Sequence, residues 1–254
     1  MQVINSVKNP LVKKTAKLLN KKYRKQDAAY LIEGFHLVTE ALASGAAYQL
    51  LLGTEEALNQ LKQKGFGYSD KKAVQVSQAI CERLSATKQS QDVFMVLPIN
   101  QPKSFSFSYG KWVVLDELAD PGNVGTIIRT ADAAGFDGVV LSKNTVDLYN
   151  PKTQRAMQGS QFHIKIVESD LQPALTSFHA AGIPIYISLL DKTAKPLPDF
   201  EKVEALALII GNEAHGADRS LISLCDEKLY IPIKGQAESL NAAVAAGIMI
   251  YHFA

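Results

Sequence analysis

Cysteine is scarce in this sequence: Cys81 and Cys225 are the two present, with no C-x-x-C and no histidine pair nearby. That excludes a disulfide framework and leaves no spacing suited to zinc, so no metal is expected. Long hydrophobic runs are missing as well. The most apolar stretch, residues 240–254, is too short and too interrupted to cross a bilayer, and no membrane partner is expected. The opening MQVINSVKNPLVKK lacks the apolar core of a secretory signal, which makes a cytoplasmic location the expectation. Acidic residues are absent before Asp27. The most loop-like strand-to-helix turn, in LDELADPGNVGTIIRTADAAG (residues 115–135), lacks both G-x-x-x-x-G-K-[ST] and G-x-G-x-x-G, which argues against a nicotinamide-dependent Rossmann enzyme.

What is present suits one or two globular domains with ample core: 254 residues, 47% hydrophobic and 20% charged. Residues 1–100 carry 14 Lys and Arg against 8 Asp and Glu, and the remainder 13 against 17. A basic front beside an acidic rear points to a polyanion at the front. Prolines, serines and a glycine near 98–110 punctuate rather than build elements, predicting domains at 1–100 and 111–254 joined by a linker at 101–110. The first domain reads as a small α/β fold, with strands near 29–33, 48–52, 73–76 and 93–97 and helices near 9–20, 35–44, 55–64 and 77–84. The second reads as a parallel sheet covered on both faces, from KWVVLDEL, GVVLS, HIKIVE, IPIYISL, ALALIIG and KLYIPI.

On a helix over 9–20 continued to residue 21, Lys13, Lys14, Lys17 and Lys21 fall within an arc of about 100°, opposite Leu11, Val12, Leu18 and Leu19. Arg24 extends that basic run, and the five residues together are read as an RNA contact.

Three stretches of the second domain carry chemistry. In the first, Asp120-Pro121-Gly122 makes a sharp turn and Asn123 is a candidate helix cap. Arg129 lies about 140° around the helix from Val124, away from the apolar face. In the second, an apolar strand delivers Gly211, Asn212 and Glu213 at its carboxyl end, where ligands of α/β sheets bind. Gly211 would permit close backbone approach, and His215 reads as a loop residue. In the third, IPIKGQAESLNAAVAAGI, Ser239 is a candidate N-cap, and Asn241 sits poorly inside an alanine-rich helix unless its side chain has another partner.

In this order the three stretches resemble the motifs of the SpoU (TrmH-like) RNA ribose 2′-O-methyltransferases of the knotted SPOUT superfamily. NVGTIIRTADAAG, IIGNEAHG and IPIKGQAESLNAAVAAGI carry the likeness, and YLIEGFHLVTEALASG resembles that family's ribosomal-protein-like substrate-binding domain. The resemblance implies S-adenosylmethionine as methyl donor, a deep trefoil knot made by the C-terminal helix, and a homodimer. It implies cofactor contacts at Gly211, Asn212, Ile231, Ile233 and Leu240, and catalytic duty for Arg129, Asn123, Glu213, Ser239 and Asn241. It further implies an RNA substrate, with 23S ribosomal RNA favoured. Transfer RNA, a resistance-conferring mark on the ribosome, and a non-catalytic RNA-binding assembly factor stand as alternatives.

Overall fold

Short strands of the first hundred residues, β1 (Gln2–Ile4), β2 (Ala29–Glu33), β3 (Leu50–Gly53), β4 (Ala73–Val76) and β5 (Val93–Pro98), form a mixed sheet in the order β1-β4-β3-β5-β2. β1 and β3 run parallel to β4, whereas β5 runs antiparallel to β3 and β2. The helices are α1 (Pro10–Lys17), α2 (Lys21–Asp27), α3 (Phe35–Ala43), α4 (Glu55–Gln63) and α5 (Gln78–Leu84). α1 and α5 cover one face through Val12, Ile80 and Leu84, and α3 and α4 cover the other through Val38, Leu58 and Leu61. Each such fully buried aliphatic side chain contributes about 2 kcal/mol. The computed structural model describes residues 1–100, 107, 109–212 and 216–254, and the expected linker at 101–110 lies mostly outside them.

The helix expected over 9–20 is α1, which stops at Lys17, and a separate helix, α2, starts at Lys21. Asn9 caps α1 by accepting from the Leu11 amide at 2.8 Å, and Asn20 caps α2 by accepting from the Lys22 amide at 2.9 Å. Each Asn cap starts its own helix, so Lys21 leaves the wheel that holds Lys13, Lys14 and Lys17.

Beyond residue 110 the chain runs β6 (Lys111–Leu115), α6 (Pro121–Ala133), β7 (Gly138–Ser142), α7 (Pro151–Met157), β8 (Lys165–Ser169), α8 (Leu171–Ala180), β9 (Ile185–Ser188), β10 (Lys195–Pro196), β11 (Leu206–Ile210), α9 (Arg219–Ile222), β12 (Glu227–Tyr230) and α10 (Ala242–Phe253). The seven strands pair in the order β10-β12-β9-β11-β6-β7-β8, every pair parallel. β11, LALII, is buried along its length, as a strand covered on both faces must be. Leu171, Leu175 and Phe178 of α8 and Leu221 of α9 pack on Trp112, Val114, Ile185 and Ile209. α6 and α10 pack against each other.

The chain divides into two compact units that differ from a simple cut at the linker. The first comprises Met1–Asn100 with Asp147–Phe162, the second Gln101–Val146 with His163–Ala254. α7 thus belongs with the first unit. Tyr149 and Phe162 pack on that unit's core, and the Tyr149 ring lies 4.5 Å from that of Tyr30. Burying these rings outweighs chain continuity.

Candidate active site

A cavity of about 450 Å³ opens at the carboxyl ends of β9, β11 and β12, with the first turns of α10 as one wall. The segment order makes it: a parallel sheet aligns its strand ends, and ligands collect there. Leu189 and Leu190 continue β9, Gly211 and Asn212 continue β11, and Ile231 and Ile233 follow β12. Ser239, Leu240 and Asn241 lead into α10, whose Met249 reaches the floor. Leu190, Ile233 and Leu240 are three of the few large apolar side chains left exposed, and all three line this one space. Apolar walls of this size, edged by backbone groups from strand ends, suit an adenosyl group with its flat ring and polar rim. Among the described residues no cluster of His, Cys, Asp or Glu could hold a metal ion.

Side chains tie the three motif stretches together. Asn212 Nδ2 donates to the Glu117 carbonyl at 2.7 Å, and Asn241 Nδ2 donates to Asn123 Oδ1 at 3.1 Å. Glu117 holds a left-handed backbone, φ 54°, unusual away from glycine. Its amide donates to Ser142 Oγ at 2.9 Å, and its carboxylate accepts from Asn144 Nδ2 at 2.6 Å. Asp116 Oδ2 accepts from the Asp218 amide at 2.9 Å, fastening the chain beyond β11 to the end of β6. Burial first, then the neighbouring Glu117 and Asp218 carboxylates, raise the Asp116 pKa, although the Asp218 amide opposes them.

Gly211 has a purpose besides the one expected. A Cβ there would overlap the backbone of Gly216 and Ala217, so the chain's own loop, rather than a ligand alone, requires glycine. Asn212 and Gly216 exchange backbone hydrogen bonds of 3.0 and 2.9 Å across that loop.

Two caps differ from expectation. Asp120, not Asn123, caps α6, accepting from the Asn123 amide at 2.9 Å with Pro121 in the first turn. Asn241, not Ser239, caps α10, accepting from the Ala243 and Val244 amides at 2.9 and 3.2 Å. The helix begins at Ala242, which frees the Asn241 amide for Asn123.

The cavity brings together Gly211, Asn212, Ile231, Ile233, Leu240, Ser239 and Asn241. Asn123 reaches it through Asn241. Arg129 is exposed on α6, opposite the buried Val124, Ile127, Ile128 and Ala131, and is not part of the cavity wall. Glu213 and His215 lie outside the described residues. Sequence reasoning missed Asp116, Glu117, Leu189, Leu190 and Met249. For the two leucines the signal was their place just past a strand's carboxyl end.

The basic run of the first unit resolves into two kinds of cation. Lys13, Lys14, Lys17 and Lys21 are exposed, and the Lys17 ammonium lies 5.1 Å from the Tyr23 ring centre. Arg24 is corrected: it is buried, 3% exposed, and unavailable to RNA. One guanidinium nitrogen donates to the Leu18 and Leu19 carbonyls at 2.8 Å each, and the other pairs with Asp147 at 2.6 Å. It satisfies the carbonyls that the end of α1 leaves open.

The SpoU rRNA Methylase family matches residues 111–251, and the MRM3-like substrate binding domain matches residues 9–95. The chain is 40% identical over 253 residues, 99% of both chains, to the 23S rRNA (guanosine(2553)-2′-O)-methyltransferase RlmP of Bacillus subtilis. It is similar to the crystal structure of an AdoMet-bound rRNA methyltransferase from Sinorhizobium meliloti, with a TM-score of 0.87 and 30% identity, covering 99% of this chain and 96% of that one. It is also similar to the SpoU methyltransferase AviRb of Streptomyces viridochromogenes in complex with AdoMet, with a TM-score of 0.81 and 26% identity, covering 96% of this chain and 97% of that one.

Proposed function

The chain belongs to the SpoU rRNA Methylase family, and from that premise we propose that it methylates a ribose 2′-oxygen of 23S ribosomal RNA with S-adenosylmethionine as donor. The observation that carries this reading is the pair of side-chain ties, Asn212 to Glu117 and Asn241 to Asn123, which gather three distant motif stretches around one apolar cavity. The donor supplies an activated methyl group. The walls at Leu189, Ile231, Ile233 and Leu240 would hold its adenosyl part, and the strand-end backbone at Gly211 would meet the ring's polar edge.

The residues of the chain mainly position the reactants. A guanidinium carries its charge across the ordinary pH range and donates hydrogen bonds rather than accepting protons. Arg129 therefore grips an RNA phosphate and stabilises the charge that develops on the ribose oxygen. Its proton leaves to phosphate, water or Glu213. Ser239, and Asn123 held by Asn241, orient the nucleotide. Lys13, Lys14, Lys17 and Lys21 supply the general attraction for RNA.

Several finer points belong to the same reading. The protein works as a homodimer, for which Val244, Ile248 and Tyr251 speak: they are exposed at i, i+4 and i+7 along α10, the helix packed on α6. The segment from β12 to α10 forms a trefoil knot, and residues 1–100 and 111–254 act as substrate-binding and methyltransferase domains. The location is cytoplasmic; no helix among the described residues is long and apolar enough to cross a membrane. The modified base is guanosine, as named for the Bacillus relative that matches along both units. Mapping ribose methylation in 23S rRNA from cells with and without this protein tests the reading. One guanosine losing its mark is the expected result, and an unchanged map would refute it.

A further inference from the structure

The first unit holds a second cavity, about 460 Å³, between the start of α3, the loop 85–92 and α7. Its walls are polar, with His36, Lys88, Arg155, Gln89, Gln91 and Gln158 among them. The loop is held firmly. Glu33 accepts from the Ala86 amide at 2.9 Å and from the hydroxyls of Ser85 and Thr87 at 2.5 and 3.2 Å. Gln91 Oε1 accepts from the Phe35 amide at 3.1 Å, replacing the side-chain cap that Gly34 cannot provide for α3. On the opposite side, His36 Nε2 donates to the Gln158 carbonyl at 2.9 Å, and Gln158 Nε2 donates to the Arg155 carbonyl at 2.7 Å.

The charge in this cavity is unbalanced. Glu33 is the one carboxylate on its wall, and both its oxygens are taken up by the loop. Lys88 and Arg155 have no ion-pair partner among the described residues. Two free cations in a pre-formed polar recess favour an anion. The Gln91 amide nitrogen and the glutamine oxygens offer donors and acceptors for a planar polar edge. The volume lies within the range of pockets that enclose a single small ligand. RNA-binding proteins read unpaired bases splayed out of the helix, with phosphate contacts alongside. A flat lysine face such as that of α1 attracts RNA without such a recess.

The geometry points to this cavity as the seat of one unpaired nucleotide of the RNA substrate, its phosphate on Arg155 and Lys88 and its base edge on the glutamine amides. The choice of RNA rests on the function proposed above. Arg155 comes from α7, outside the segment matched to the substrate-binding domain, so the seat is built from chain belonging to both matched regions.

The test uses the full chain, purified bacterial ribosomal RNA and two variants. One is Arg155→Gln with Lys88→Gln. The other is Lys88→Glu alone, at an exposed loop position where folding is not at stake. Filter binding across a salt series should show the double variant about tenfold weaker, with the slope of log affinity against log salt reduced by about 1.4. The KM for RNA should rise by the same factor, and calorimetry should find S-adenosylmethionine affinity unchanged. Lys88→Glu should weaken binding in the same direction. RNA affinity and slope equal to wild type in both variants would overturn the proposal, as would displacement of the wild type's RNA by polyglutamate in an Arg155-independent manner. Wild type that binds RNA with the Arg155-dependent slope yet transfers no methyl group would sink the methyltransferase reading and leave this seat standing.

Discussion

The cavity beside the first turns of α10 and the cavity beside the start of α3 have nearly equal volumes, about 450 and 460 Å³, and opposite walls. The former is lined by leucines, isoleucines and the ends of parallel strands; the latter by glutamines, a lysine and an arginine. Apolar walls favour a ligand that leaves water readily, and unpaired cations favour one that brings negative charge. Size alone would not distinguish them. The chemistry of the lining assigns the donor to one and the nucleic acid to the other.

That contrast can be broken at several places. The largest effect is expected at Arg129, which is exposed and lines neither cavity. Arg129→Ala should lower methyl transfer about 10²–10³-fold with S-adenosylmethionine affinity unchanged, measured by label transfer and calorimetry. Equal loss in both assays would place Arg129 in donor binding. Next is Arg24, whose side chain is 4% exposed in its pair with Asp147. Arg24→Met should cost about 3 kcal/mol in a urea melt while leaving the RNA salt slope intact. A stable variant with a shallower slope would return Arg24 to the RNA surface.

Asn241→Ala should cost about 1 kcal/mol through the lost cap and should slow methyl transfer; Asn241→Ser should recover the stability but not the rate. Recovery of both would reduce Asn241 to a cap. The smallest effect is at Asp116. Its folded pKa is raised by burial, so its contribution to stability is full below the ordinary value of 3.8 and is lost as pH rises through the folded value. Asp116→Asn, which keeps an acceptor for the Asp218 amide, should therefore melt higher than wild type at pH 7, the gap closing below pH 3.8. A variant that melts lower at pH 7 would show that the charged form is stabilising.

Local pattern carried most of the architecture. Unbroken apolar runs such as LALII announced the parallel sheet, and the spacing of Val124, Ile127, Ile128 and Ala131 announced the buried face of α6. Three features depend on contacts that local pattern does not encode. Arg24 sits in a run of lysines, yet its partner Asp147 is 123 residues away. α7 left its sequence neighbours because Tyr149 and Phe162 found a core in the first unit. Ser239 and Asn241 are both good cap residues, and the chain's path into α10 chose between them. The motif residues lining the donor cavity were legible. Leu189 and Leu190 carried only their place just past a strand's carboxyl end, because the strand order that brings β9 beside β11 emerges only in the assembled sheet, and Met249 carried no such signal.

The central claim is that the cavity edged by Gly211 and Asn241 delivers a methyl group to a ribose oxygen. Incubating the protein with methyl-labelled S-adenosylmethionine and ribosomal RNA, then digesting the RNA with alkali, tests it directly, because a 2′-O-methyl group blocks alkaline cleavage of the following bond. The account predicts label in an alkali-resistant dinucleotide. Label released in mononucleotides, as a base methylation would give, or no label in RNA at all, would contradict it.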